Sequence, residues 1–256
     1  MFRTDSNGCG VVERRRNYRP TWSLNLTEPV ASNYYPVDSR IDISEDSNDL
    51  YRGGREITIL TDRAQGGSSM KSGQIELMLH RRLFNDDAFG VGEALNETAF
   101  GVGLVVRGKH RLVMRENSNN FDTISPRYEA EKMLMKPVMF LGPSGSSFSV
   151  PKVPRFGEQN MSKNIKLLTL ERWNSKSLLV RFENINEASD GECENVELQH
   201  GVKIIETTLD GNLKLQDKRR MSWNGYTQSS RDEVLDPTAI RLCPGEIRTF
   251  IVELIN

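Results

Sequence analysis

Apolar residues in this chain come in short runs with a period of two, and that spacing restricts the fold to stacked antiparallel sheets. Ile57 and Ile59 alternate with Thr58 and Leu60 ahead of a polar turn. Ile75, Leu77 and Leu79 alternate with Glu76, Met78 and His80, as in a half-buried strand. Further apolar runs fall at 104–106, 112–114, 165–170, 178–182 and 247–254, with Gly, Pro, Asn and Asp in the gaps. One segment reads as a helix. Ser125 is a capping residue, Pro126 takes the first helical position, residues 127–134 are good helix formers, and Pro137 ends the run. Many short strands with one short helix predict an all-β, mainly antiparallel fold rather than an alternating α/β plan.

A chain of 256 residues can bury a substantial core in one or two domains. The run from Gly142 to Ser147, followed by Pro151 and Pro154, has the composition of a loop or linker. It places a boundary near residue 160, giving domains 1–160 and 161–256, the second with the length of a small β-sandwich. With 34 basic against 35 acidic residues there is no net field to hold nucleic acid or an anionic membrane surface. Arg14, Arg15 and Arg16 read as a solvated strand end or loop. No run of about twenty apolar residues is present to span a bilayer, and the polar first twenty residues lack the apolar centre of a signal peptide. Cys9, Cys193 and Cys243 lie far apart without CxxC spacing, which argues against a zinc knuckle or redox pair. One disulfide with an odd thiol and three free thiols both remain open. The sequons at Asn25, Asn96 and Asn160 are N-glycosylation acceptors in a secreted chain and point to the secretory pathway.

Candidate chemistry is sparse. Asp86 and Asp87 are the obvious carboxylate pair, but a retaining glycosidase needs two carboxyl groups opposed across the sugar about 5 Å apart. Neighbours in extended chain point to opposite sides, so a turn or salt-bridge role is preferred. His80, His110 and His200 are scattered without ligand spacing, and no metal site is expected from this chain alone. Gln65-Gly66-Gly67-Ser68-Ser69 lacks the lysine of a phosphate loop and reads as a tight turn allowing close backbone approach. Asn33-Tyr34-Tyr35-Pro36 sets two aromatic hydroxyls before a proline that enforces extended backbone. Composition and spacing lead to a soluble two-domain β protein and no further.

Several longer runs resemble glycoside hydrolase family 38, in its lysosomal-type α-mannosidase branch. They include Thr4 to Gly8, Glu13 to Arg16 with Tyr18-Arg19-Pro20, and Asn33 to Val37. The strongest stretch runs from Leu60-Thr61-Asp62-Arg63 through Gly66 to Ser69 and on to Ile75 through Leu83. Asp86-Asp87, Gly90 to Glu93, Leu95 to Thr98, Asp236-Pro237-Thr238 and Glu246 to Phe250 follow in order. The resemblance implies a β supersandwich like galactose mutarotase, followed by a smaller sandwich. It implies retaining hydrolysis of α-linked mannose in N-glycans and oligomannosides, in a lysosomal or secreted protein. The family's nucleophile, acid/base carboxylate and zinc ligands belong to an N-terminal catalytic domain and have no counterpart here. The chain is therefore read as a piece of a longer protein, inactive alone, with that missing domain and mannose-containing glycans as partners and an oligomer possible. Zinc is implied for the full-length enzyme, with none bound by this chain alone.

The same resemblance implies that Tyr34, Asp86 and Asp87 line the substrate pocket. In the family's DD-x-RG segment an arginine completes the set, and here Phe89 stands in its place. Phenylalanine offers a ring face where arginine offers charge and several donors. An exposed apolar face is expected where the catalytic domain packs. The competing reading is a stand-alone, non-catalytic carbohydrate-binding or structural β module.

Overall fold

The computed structural model describes residues 1–5, 10–44, 55–90, 92–116, 125–139, 141–142, 161–186, 193–196, 202–218 and 240–254. The chain divides into two units, Met1–Val138 and Met139–Asn256. The boundary expected near residue 160 lies outside the described residues, as do Cys9, Asn160, His200 and Asp236-Pro237-Thr238.

In chain order the first unit contains β1 Phe2–Asp5, β2 Val11–Arg14, β3 Tyr35–Val37, β4 Arg40–Ser44, β5 Arg55–Thr61, β6 Gln65–Ser68, β7 Glu76–Met78, β8 Thr98–Ala99, β9 Val102–Gly103, β10 His110–Glu116 and helix α1 Pro126–Leu134. These form an antiparallel five-stranded sheet, β10-β5-β4-β1-β2, a three-stranded sheet, β3-β6-β7, and the small hairpin β8-β9.

Directly opposed residues share a face of a sheet. Ile41, Ile59 and Leu112 form one row across β4, β5 and β10, and Ile43, Ile57 and Met114 form the next. Phe2, Val37 and Ile41 are the buried centre of this face, with Tyr35, Ile75 and Leu77 packed against them. Toward β10 the same rows run out into solvent, where Leu112 is 57% and Met114 71% exposed. On the opposite face α1 lays Ala130 and Met133 over Leu60 and Val113, and Arg111 pairs with Glu129 of the helix. Helix and proline fall where the sequence places them. The Ser125 hydroxyl, however, makes no capping bond; its carbonyl accepts the Glu129 N–H at 3.1 Å.

The rest of that second face is polar. Arg3 bonds to buried Asp42 through Nε and to buried Glu56 through Nη2 at 2.7 Å. Arg115 holds both Glu56 oxygens, at 2.9 and 2.8 Å, and the Thr58 hydroxyl donates to Glu56 at 2.8 Å. The network crosses β1, β4, β5 and β10. Burial pushes the Asp42 carboxyl up to about 6 against the pull of Arg3. Burial also works against ionised Glu56, but Arg115 and Arg3 outweigh it and hold that carboxyl below its ordinary value.

Three sequence expectations change here. Residues 104–106 are not a strand: they have no ladder partner among the described residues, and Val105 is 82% exposed. The alternation at 75–79 yields only the three residues of β7, and Leu79 faces solvent. The Gly66–Ser69 segment is not a turn, because Gln65–Ser68 forms the central strand of the small sheet.

The second unit contains β11 Ile165–Arg172, β12 Ser177–Asn184, β13 Glu194–Val196, β14 Val202–Thr207, β15 Ile240–Leu242 and β16 Ile247–Leu254. The antiparallel sheet β11-β12-β16-β14 faces the antiparallel pair β13-β15. Ile165, Val180, Phe182, Phe250 and Val252 pack against Val196, Ile240 and Leu242 between them. Glu194 lies opposite Leu242, and the next pair outward, Cys193 and Cys243, is joined by a disulfide 50 residues apart in sequence. That resolves the pairing left open by composition.

Closing a loop of this length removes about 4 kcal/mol of chain entropy from the unfolded state. Cys193→Ser is therefore expected to lower the stability of the second unit by an amount of that order; denaturation curves unchanged from wild type would contradict this. In the first unit, Asp42 binds its proton more tightly folded than unfolded. Its contribution to stability is full below the ordinary aspartate range and is lost as pH rises through about 6. Melting wild type and Asp42→Asn across about pH 4 to about pH 7 should show the variant gaining on wild type as pH rises. A constant difference would contradict the raised value.

Candidate functional site

Tyr34 is set in place from three directions. Residues Ala31–Asn33 make one 3-10 turn, and Tyr34 leaves it with extended backbone. Behind it, Asn33 is buried with both amide hydrogens and its oxygen bonded: Nδ2 donates to Asn17 Oδ1 and to the Pro29 carbonyl, each at 2.7 Å, and Oδ1 accepts the Asn17 N–H at 2.8 Å. The Asn33 carbonyl accepts the buried Ser68 hydroxyl at 2.7 Å, tying the turn to β6. A buried amide with every partner present holds one geometry firmly.

Glycine makes the seat for the ring. A Cβ on Gly66 would stand 3.4 Å from Tyr34 Cδ1, so the ring packs against bare backbone. The hydroxyl donates to Glu76 Oε2 of β7 at 3.0 Å. Burial first, then the Glu76 bond and charge, raise the tyrosine pKa and keep the phenol neutral. With its proton committed to Glu76, the oxygen faces any ligand as an acceptor.

The neighbouring Tyr35 carries the basic cluster. Arg14 and Arg19 stack over its ring at 4.4 and 5.4 Å, and Phe2 meets it edge-on at 5.8 Å. Arg15 lies over Tyr18, and Arg16 reaches the Met70 carbonyl. Arg15 and Arg16 are solvated as expected, whereas half-buried Arg14 is a packing residue whose Nε also donates to the Thr4 hydroxyl at 3.2 Å.

Asp86 and Asp87 lie on an exposed loop after β7. Asp86 accepts the Ala88 N–H at 3.1 Å and Asp87 the Phe89 N–H at 3.0 Å, so each carboxylate closes its own turn. Ala88, directly after them, takes a left-handed conformation, φ 60°. Phe89 is 94% exposed. Among the described residues no hydrogen bond joins this loop to Tyr34. Asn25 and Asn96 are exposed, and Asn96 accepts from Arg82 through Oδ1. His80 is exposed, and His110 Nε2 lies 3.0 Å from Gln65 Oε1. Among the described residues no three of His, Cys, Asp and Glu converge to hold a metal ion.

Sequence reasoning missed Asn33 and Glu76 as the residues that fix Tyr34. The traces of Glu76 were its place in an alternating strand and in the stretch from Ile75 to Leu83 that resembles family 38, and neither pointed to Tyr34.

Residues 1–89 match the glycosyl hydrolases family 38 C-terminal domain, and residues 164–250 match the family 38 C-terminal beta sandwich domain. The chain belongs to glycosyl hydrolase family 38. It is 41% identical over 273 residues to the lysosomal alpha-mannosidase of Felis catus and 37% identical over 273 residues to that of Homo sapiens. It is 30% identical over 272 residues to an alpha-mannosidase of Canavalia ensiformis. Each alignment covers 99% of this chain but only 26%, 26% and 27% of the relative, so the family 38 chain spans about a quarter of their length.

Gly67 is walled in by buried apolar side chains: a Cβ there would stand 2.6 Å from Val37 Cγ2, 3.0 Å from Ile41 Cδ1 and 3.3 Å from Leu77 Cδ2. Val37 is fully buried and β-branched, so it cannot swing away. Gly67→Ala should cost about 1–3 kcal/mol of stability, read by chemical denaturation. A variant as stable as wild type would show that the small sheet is not packed this closely.

Proposed function

We propose that this chain is the C-terminal portion of a retaining α-mannosidase that hydrolyses α-linked mannose in N-glycans and oligomannosides. In this reading the strands brace an N-terminal catalytic domain, and Tyr34, with the Asp86–Asp87 loop, lines part of the substrate pocket. The observation that carries it is the identity to lysosomal alpha-mannosidases across 99% of the chain. The relatives are glycosidases, and the matched domains are the C-terminal ones of the family. The nucleophile, the acid/base carboxylate and the zinc ligands then belong to the domain outside this chain. Zinc would polarise the sugar there; what these residues add is position, with Tyr34 offering a fixed acceptor to a sugar hydroxyl.

Two features support the partner. The apolar rows ending at Leu112 and Met114 give a second packing surface. The arm between β7 and β10 carries Phe84, Phe89 and Phe100 at 85%, 94% and 105% exposure, far more apolar surface than an isolated loop retains. The lysosome, or secretion, is the proposed location, following the relatives, with Asn25, Asn96 and Asn160 as glycan acceptors. Phe89, in place of an arginine, favours the second reading, a stand-alone carbohydrate-binding or structural module.

Purified chain, free of contaminating enzyme, is expected to show no hydrolysis of an aryl α-mannoside, since the groups that stabilise the transition state lie elsewhere; any turnover would refute this. In a polypeptide joining the catalytic domain to this sequence, Phe89→Arg should change kcat/KM. An unchanged value would remove Phe89 from the pocket.

A further inference from the structure

Across the outer face of the second unit's larger sheet, Thr169, Arg181, Thr249 and Thr207 lie opposite one another in a single row over β11, β12, β16 and β14. The row is polar where the other side of the sheet is the unit's core. A turn following β14 folds over it: the Leu209 carbonyl accepts Arg181 Nε at 2.9 Å and the Thr249 hydroxyl at 3.4 Å. Between row and turn lies an open depression of about 710 Å³, within the range of small-molecule sites.

Its walls are chemically mixed. Arg181 is anchored, with Nη1 donating to the Thr169 hydroxyl at 3.2 Å, while its Nη2 has no partner among the described residues. Asp210 is held by the Thr208 hydroxyl and by Asn212 Nδ2 at 3.0 Å, bonds that keep its carboxyl below the usual aspartate range. Lys218 is exposed and makes no ion pair among the described residues. Leu168, Leu209 and Ile247 add aliphatic surface that is 36%, 58% and 40% exposed.

We propose that this groove is a second carbohydrate subsite, binding a neutral hexose through Arg181, Asp210 and Lys218 at its hydroxyl edge and Leu168 and Ile247 at its C–H face. A neutral polyol fits better than an anion because the carboxylate shares the groove with the two cations. An aliphatic floor beside pre-placed donors and an acceptor matches the two-sided chemistry of a pyranose. Only the choice of mannose rests on the glycan reading above; the groove itself is independent of the Tyr34 region.

The test is a titration of the isotope-labelled 256-residue chain with methyl α-mannopyranoside, followed by backbone amide shifts. Saturable shifts confined to residues 208–218 and the neighbouring Leu168, Thr169, Arg181 and Ile247, with Kd of about 1–10 mM, are expected. Lys218→Ala and Asp210→Asn, whose spectra elsewhere should match wild type, should each bind about tenfold more weakly. No saturable shift, shifts elsewhere, unchanged affinity in both variants, or tighter binding of sulfate at the same residues would each overturn the proposal. Failure of the mannosidase assays on the joined polypeptide would leave this result untouched, so the two readings fail separately.

Discussion

Val37, Ile41 and Leu77 close on Gly67 from three sides, leaving no room for a side chain. That contact lets β6 lie against the core shared by Phe2, Val37 and Ile41, and everything around Tyr34 depends on it. β6 carries Gly66, against which the tyrosine ring packs, and Ser68, which hydrogen-bonds the Asn33 carbonyl. β7, its neighbour, carries Glu76, which takes the tyrosine proton. A local steric requirement at one residue is thus translated into the orientation of one hydroxyl.

How much of this was legible in the sequence depended on where polarity and burial agreed. Strands β11, β12 and β16 were visible because their inward positions are apolar, as Val180, Phe182, Phe250 and Val252 show. Strands β1 and β4 were not, because Arg3, Asp5 and Asp42 interrupt the alternation while taking partners inside the fold. Asp5, fully buried, accepts the N–H groups of Ser39 and Arg40, and no apolar count can detect that. Helix α1 was read to the residue, since proline and good formers act locally. The run 104–106 misled because apolar residues make a strand only where another strand offers its backbone. Asp86 and Asp87 each close a turn, one of the two roles preferred from the sequence, and their part in substrate binding is a proposal.

The two units are stabilised differently. The first places a charged network across four strands and leaves the apolar rows at Leu112 and Met114 open to solvent at one edge. The second is a closed sandwich whose smaller sheet supplies three core residues from short strands, clamped by Cys193–Cys243. Two- and three-residue pairings hold poorly alone, and the covalent link offsets that weakness. An oxidising compartment, which a secretory route provides, is where such a link persists.

The proposal that these strands serve a reaction whose acidic groups and metal are held by another part of the same polypeptide can be tested directly. Its most direct test is the native mass of the product carrying this sequence, read by immunoblot with an antibody to the exposed 79–90 segment. The account predicts a polypeptide about four times this length, given that the chain covers 26% of its relatives. A mature product of 29.1 kDa, the mass of these residues alone, would contradict it.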